Sequence, residues 1–203
     1  MRKIVILLLV CSVLTIQAQY ADVVQQREMR SKRFLQEAKL LYNERNYDMA
    51  EELLHQVQNG NPTHIQEHEA AALLALIAYY RNPEEALGTI EEYLKLYPDA
   101  PEQNRMKALA LLSYYAQGNY AQVVYGMQEV DPDMLPDEER DNIILAYALS
   151  LIKEGQYEEA AVQLDILRII SDRYDNEAAF YTAYTDYQEK HYEAAEEGFT
   201  RTL

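Results

Sequence analysis

Asn46-Tyr47-Asp48-Met49-Ala50 is a phrase the chain repeats. It returns as Asn82-Pro83-Glu84-Glu85-Ala86, Asn119-Tyr120-Ala121-Gln122-Val123, Gln156-Tyr157-Glu158-Glu159-Ala160 and His191-Tyr192-Glu193-Ala194-Ala195. Counted from Tyr47, the steps to Pro83, Tyr120, Tyr157 and Tyr192 are 36, 37, 37 and 35 residues. A period of that size with helical patterning inside each unit marks a helical solenoid. In such a chain two-helix hairpins stack because none of them can bury its apolar face alone.

Working outward from the phrase, the apolar spacing is helical throughout and no useful stretch alternates in the manner of a strand. It predicts helices over 22–44, 47–58, 64–80, 83–96, 102–117, 120–130, 136–154, 157–171, 176–189 and from 192 onward. Five of the six prolines (Pro62, Pro98, Pro101, Pro132, Pro136) fall between units. The sixth, Pro83, stands at a helix start, where its missing N–H costs nothing, with Asn82 before it as N-cap. Gly118 and Gly155 fall in the turns inside two units, where a left-handed backbone is often required. The expected division is a signal segment over 1–19 and one array over 20–203, in units of about 31–62, 63–98, 101–134, 136–172 and 176–203, the last incomplete.

These units resemble tetratricopeptide repeats over about residues 31 to 203. The family's small residue midway along the first helix is matched by Ala38, Ala148 and Ala183, with Leu111 larger. Its aromatic at the start of the second helix is matched by Tyr47, Tyr120, Tyr157 and Tyr192, with Pro83 the exception. Ala50, Ala86, Ala160 and Ala195 supply the small residue one turn later, where the third unit has Val123. The link Tyr97-Pro98-Asp99-Ala100-Pro101 is similar to links in exported envelope members of the family in bacteria, such as those attending Tol–Pal or outer-membrane barrel assembly. The resemblance implies an all-α, right-handed superhelix that binds other proteins along its concave side.

At the N-terminus, Arg2 and Lys3 precede an apolar run from Ile4 to Ile16 and the small-residue exit Gln17-Ala18-Gln19. That is the layout of an export signal, and the run is too short for a bilayer span of about 20 residues. Cys11 is the one cysteine, and Val10 before it departs from the small residue that precedes a lipidated cysteine, so it reads as an apolar residue lost on cleavage. The expected mature chain is exported and periplasmic or outer-membrane-associated, with no thiol and no transmembrane span. The net charge of −16 becomes more negative once Arg2 and Lys3 are removed, and a field of that sign repels nucleic acid and anionic lipid alike. Since Thr202-Leu203 falls inside a second helix, further C-terminal repeats or a covering partner are expected there.

Candidate chemistry is thin. His64-Ile65-Gln66-Glu67-His68 has the spacing of an inverted zinc-protease motif, with His64 and His68 on one helix face and Glu67 as a possible base. It stands at the opening of a repeat unit and lacks an evident third ligand. The reading is therefore no enzyme and no cofactor, with a zinc hydrolase as the remote alternative. Glycines are isolated, so no phosphate loop exists, and glutamate pairs recur once per unit as expected of a solvated face.

The stripe that points to function lies on the first helices. Leu109, Leu112 and Tyr115 recur at helical spacing, as do Leu145, Leu149 and Ile152, and then Phe180, Tyr181, Tyr184 and Tyr187. Two readings stand. These side chains line a groove for an apolar helix or an extended peptide, or they pack against the following helix. The expectation is a non-catalytic exported scaffold that holds a protein or peptide partner in the cell envelope. The alternative is the N-terminal assembly module of a longer envelope protein whose activity lies beyond residue 203.

Overall fold

A computed structural model describes the backbone of Arg2–Thr202 and the side chains of Gln17, Gln19, Tyr20 and Val23–Thr202. The export-signal reading of residues 1–19, Cys11 included, falls almost wholly on side chains outside those described. Among the described residues there is no strand. Ten α-helices run α1 (Arg2–Asn43), α2 (Tyr47–Gln58), α3 (His64–Arg81), α4 (Pro83–Leu96), α5 (Gln103–Ala116), α6 (Tyr120–Gly126), α7 (Asp137–Lys153), α8 (Tyr157–Ile170), α9 (Asp175–Gln188) and α10 (Tyr192–Thr202).

Nearly every boundary lies within two residues of its expected place. Two do not. α1 begins at Arg2 instead of near residue 22, and α6 stops at Gly126, giving way to 3₁₀ turns at Met127–Glu129 and Pro132–Met134. Asn104 ties the segment between those turns to α5, its amide donating to the Asp131 carbonyl at 2.9 Å and its carbonyl accepting from the Asp131 N–H at 2.8 Å. Among the described residues, no helix is long and apolar enough to cross a membrane.

The chain forms two compact units, Met1–Ile77 and Ala78–Leu203. In the first, α1 pairs with α2 around Leu35, Ala38, Ala50, Leu54 and Val57, all buried. Ala38 and Ala50 show no exposure at all, as expected of small residues that let two helices approach closely. In the second, α4 lies on α5, and the hairpins α5–α6, α7–α8 and α9–α10 pack side by side. The same economy recurs there, with Ala148 and Ala160 at zero exposure and Ala183 and Ala195 nearly so.

Four of the turns inside hairpins are built alike. In each, one residue takes a positive φ: Arg45 at 60°, Gly118 at 76°, Gly155 at 76° and Lys190 at 67°. Each is closed by the same pair of backbone bonds, such as Asn119 N–H to the Tyr114 carbonyl and Gly118 N–H to that of Tyr115. This is the Schellman arrangement, which favours glycine because a Cβ is strained at positive φ. Arg45 and Lys190 do the work of Gly118 and Gly155 with that strain retained. Lys190→Gly is therefore expected to stabilise the second unit by about 1 kcal/mol, read as a higher urea midpoint.

Across three of these turns the phrase's tyrosine rests on the last turn of the preceding helix. The ring centroids of Tyr42–Tyr47, Tyr115–Tyr120 and Tyr187–Tyr192 are 5.9, 5.8 and 5.7 Å apart. The turn between α3 and α4 is different. There the Asn82 side chain accepts from the Glu84 N–H at 3.1 Å, and Pro83 begins the next helix directly.

Candidate protein-binding groove

The predicted stripe divides once it is folded. Leu112, Tyr115, Leu145 and Leu149 come together on the second unit, lining one recess of about 290 Å³ with Tyr79 and Tyr174. Leu109 is completely buried and Ile152 nearly so, and both serve the core between helices. Helical spacing assigns all six to related faces; Leu112 is as buried as Ile152, and what separates the two sets is which side chains border the recess.

On α9 the four aromatics point two ways. Phe180 meets Phe199 of α10 with centroids 5.4 Å apart, and Tyr187 meets Tyr192 of the same helix. Tyr181 lies close enough to Tyr115 for the two phenols to feel each other. Tyr184 is half-buried. Phe180 and Tyr187 remain about half exposed beside α10.

The recess is apolar with a polar seam. Tyr174 donates its hydroxyl to the Asn142 side-chain carbonyl at 2.6 Å, which holds that ring at the rim. Burial is the largest reason that the Tyr115 and Tyr174 phenols lie above their ordinary pKa. The Tyr79 phenol is pushed up to about 12, first by burial and then by the negative charge of Glu139. Sequence reasoning passed over Tyr79 and Tyr174, because one closes a helix and the other precedes one.

The displacement of Tyr79 carries a stability consequence. Its folded pKa exceeds the ordinary value of about 10, so the contribution of the neutral phenol is complete below pH ~10. It is lost as pH rises from there toward about 12. Spectrophotometric titration should show a set of late-ionising tyrosines that shrinks by one in Tyr79→Phe. A full-sized late set in that variant means Tyr79 is not among them.

The histidine motif folds as an ordinary helix start. His64 is exposed, its Nδ1 lies 3.9 Å from a Glu67 carboxylate oxygen, and the His64 and His68 rings stand edge to face at 6.1 Å. Among the described residues no group of three histidine, cysteine or acidic side chains is arranged to hold a metal ion.

A sequence model of the family described as "YfiO: Outer membrane lipoprotein" matches residues 27–141. No curated protein matches the chain by sequence. Among solved structures, MamA of AMB-1 is 16% identical with a TM-score of 0.67, the match covering 86% of this chain and 91% of that one. PilF of Pseudomonas aeruginosa is 18% identical with a TM-score of 0.59, over 86% of this chain and 76% of that one. TPR-like repeats described as a Podosopora anserina kinesin light chain are 18% identical with a TM-score of 0.57, over 85% and 92%. At such identities these likenesses speak to fold, and the fold is a tetratricopeptide-type helical solenoid.

Proposed function

Because the chain belongs to the YfiO family, which matches more than half of its 203 residues, we propose that it is a non-catalytic scaffold of the cell envelope that binds another protein in the α5–α7 groove. The observation that carries this is the convergence of Leu112, Tyr115, Leu145 and Leu149 on one recess, closed by two further tyrosines. Stacked hairpins set such a groove in advance, so little ordering entropy opposes binding. Its apolar floor and phenolic rim suit the apolar face of a helix or an extended segment, and Tyr181 extends the surface toward α9. The description of the family as outer membrane lipoproteins supports the envelope as the setting, and the apolar run after Arg2 and Lys3 supports export.

The test begins with a photocrosslinking residue at Leu149 in intact cells, followed by affinity measurement on the purified partner. Leu149→Asp combined with Tyr115→Ala is expected to weaken binding by about 2 kcal/mol or more, the loss of a buried anchor. Val162→Asp, on an exposed position of α8, should leave it unchanged. Equal affinity in the groove variant, or adducts from Val162 with none from Leu149, sinks this reading.

A further inference from the structure

The first unit carries a recess of opposite chemistry. In a chain of net charge −16, α1 bears Arg27, Arg30, Lys32 and Arg33 within seven residues, against Glu28 alone. Arg27, Arg30, Ser31 and Phe34 share one helix face by their spacing. That face looks onto the end of α2 and the turn after it, where Gln56, Asn59 and Asn61 complete a recess of about 530 Å³. Among the described residues that line it, none is acidic.

The recess is held in shape from beneath. Ser31 is buried, and its hydroxyl oxygen sits 2.8 Å from where a Cβ on Gly60 would stand. The helix and the turn therefore approach as closely as a glycine permits. Asn61, with φ at 60°, directs the chain out of the turn. The Arg30 guanidinium rests over the Phe34 ring, 5.0 Å from its centroid, a contact that positions the charge without a carboxylate.

Two forked cationic donors select an oxyanion, while three side-chain amides both donate and accept, as hydroxyl groups require. The volume lies within the roughly 300–1,000 Å³ of sites for organic ligands and exceeds what a bare oxyanion fills. Four basic residues gathered on one helix, Arg27, Arg30, Lys32 and Arg33, form a pattern that meets anionic lipid headgroups.

We propose that this recess binds the phosphodiester headgroup of an anionic glycerophospholipid, Arg27 and Arg30 taking the phosphate and Gln56, Asn59 and Asn61 the glycerol hydroxyls. The probe is short-chain phosphatidylglycerol below its micellar concentration, titrated calorimetrically into the full chain. Saturable one-to-one binding is expected. Arg27→Gln with Arg30→Gln should weaken it about twentyfold or more, at the gain of roughly 1 kcal/mol that each basic residue contributes near anionic lipid. Lys32→Gln with Arg33→Gln, equal in charge removed but absent from the recess lining, should change it less than about threefold. Equal weakening by both pairs would show a diffuse field and overturn the site. So would equally tight binding of inorganic phosphate, which would mark a free-anion site, or an absence of saturation. Should circular dichroism show the double variant unfolded, Arg27→Gln alone carries the test, with about a fivefold loss expected.

Discussion

Glu139→Ala is expected to destabilise the second unit by about 3–5 kcal/mol, as breaking one side of a buried ion pair does. Glu139 is 3% exposed, in the first turn of α7. Arg105 on α5 reaches it with two bonds, Nε to Oε2 at 2.7 Å and Nη2 to Oε1 at 2.5 Å. The Tyr80 hydroxyl at the end of α3 donates to the same carboxylate at 2.8 Å. One carboxylate thus gathers three successive first helices. Alanine would remove the two bonds from Arg105 and the one from Tyr80, leave a void at a buried position and take an acid from a helix N-terminus, where the dipole favours it. Glu139→Gln keeps the shape and accepts the Tyr80 bond, so it should cost less than alanine. The measurement is urea unfolding followed by hydrogen exchange at α5 and α7. A loss near that of an exposed pair such as Lys107–Glu129, about 0.5 kcal/mol, would show that the network is not structural.

This network also marks a limit of reading the chain as text. Glutamates recur through the repeats, and their spacing predicts a wet face. Spacing cannot tell Glu139 from Glu138, yet one is buried against Arg105 and the other is exposed. Asp141 is a second case. It too is buried, receiving the Ser171 hydroxyl at 2.5 Å and Arg140 at 3.0 Å. What decides burial is the partner that another part of the fold supplies, Arg105 of the preceding hairpin for Glu139 and Ser171 at the end of α8 for Asp141, and periodicity holds no information about that.

The hairpins themselves were legible because the local signals agree at most turns: small residues on either side, an aromatic at the second helix start, and a turn of fixed length, with Pro83, Leu111 and Val123 the exceptions. The groove was legible in half. A helical stripe names a face, while depth depends on how close the next helix lies. Leu149 is left half-buried at a recess whose buried wall includes Leu112, whereas Leu109 and Ile152 are buried without bordering it. Tyr79 and Tyr174 joined the site through packing alone.

The third hairpin departs most from the pattern, and its repair leads to the second large effect. Leu111 occupies the position where the fourth and fifth hairpins have Ala148 and Ala183, and it is nonetheless buried. The space comes from across the pair. A Cβ built on Gly126 would stand 2.5 Å from the Leu111 Cδ2, far inside contact distance. Gly126 leaves room on α6 for the Leu111 side chain. The cost is visible too, since α6 ends at that glycine and tightens into a 3₁₀ turn. Gly126→Ala should therefore overpack the pair and destabilise it by about 1–3 kcal/mol, in spite of alanine's better helix propensity. Leu111→Ala should cost about 2–5 kcal/mol by leaving a cavity. The double variant is expected to lose clearly less than the sum, because the new Cβ enters the space that the leucine vacates. A coupling of about 1 kcal/mol or more in that cycle is the signature of direct exchange of volume. Strict additivity would place the two residues in separate packing environments and remove the explanation for the shortened helix.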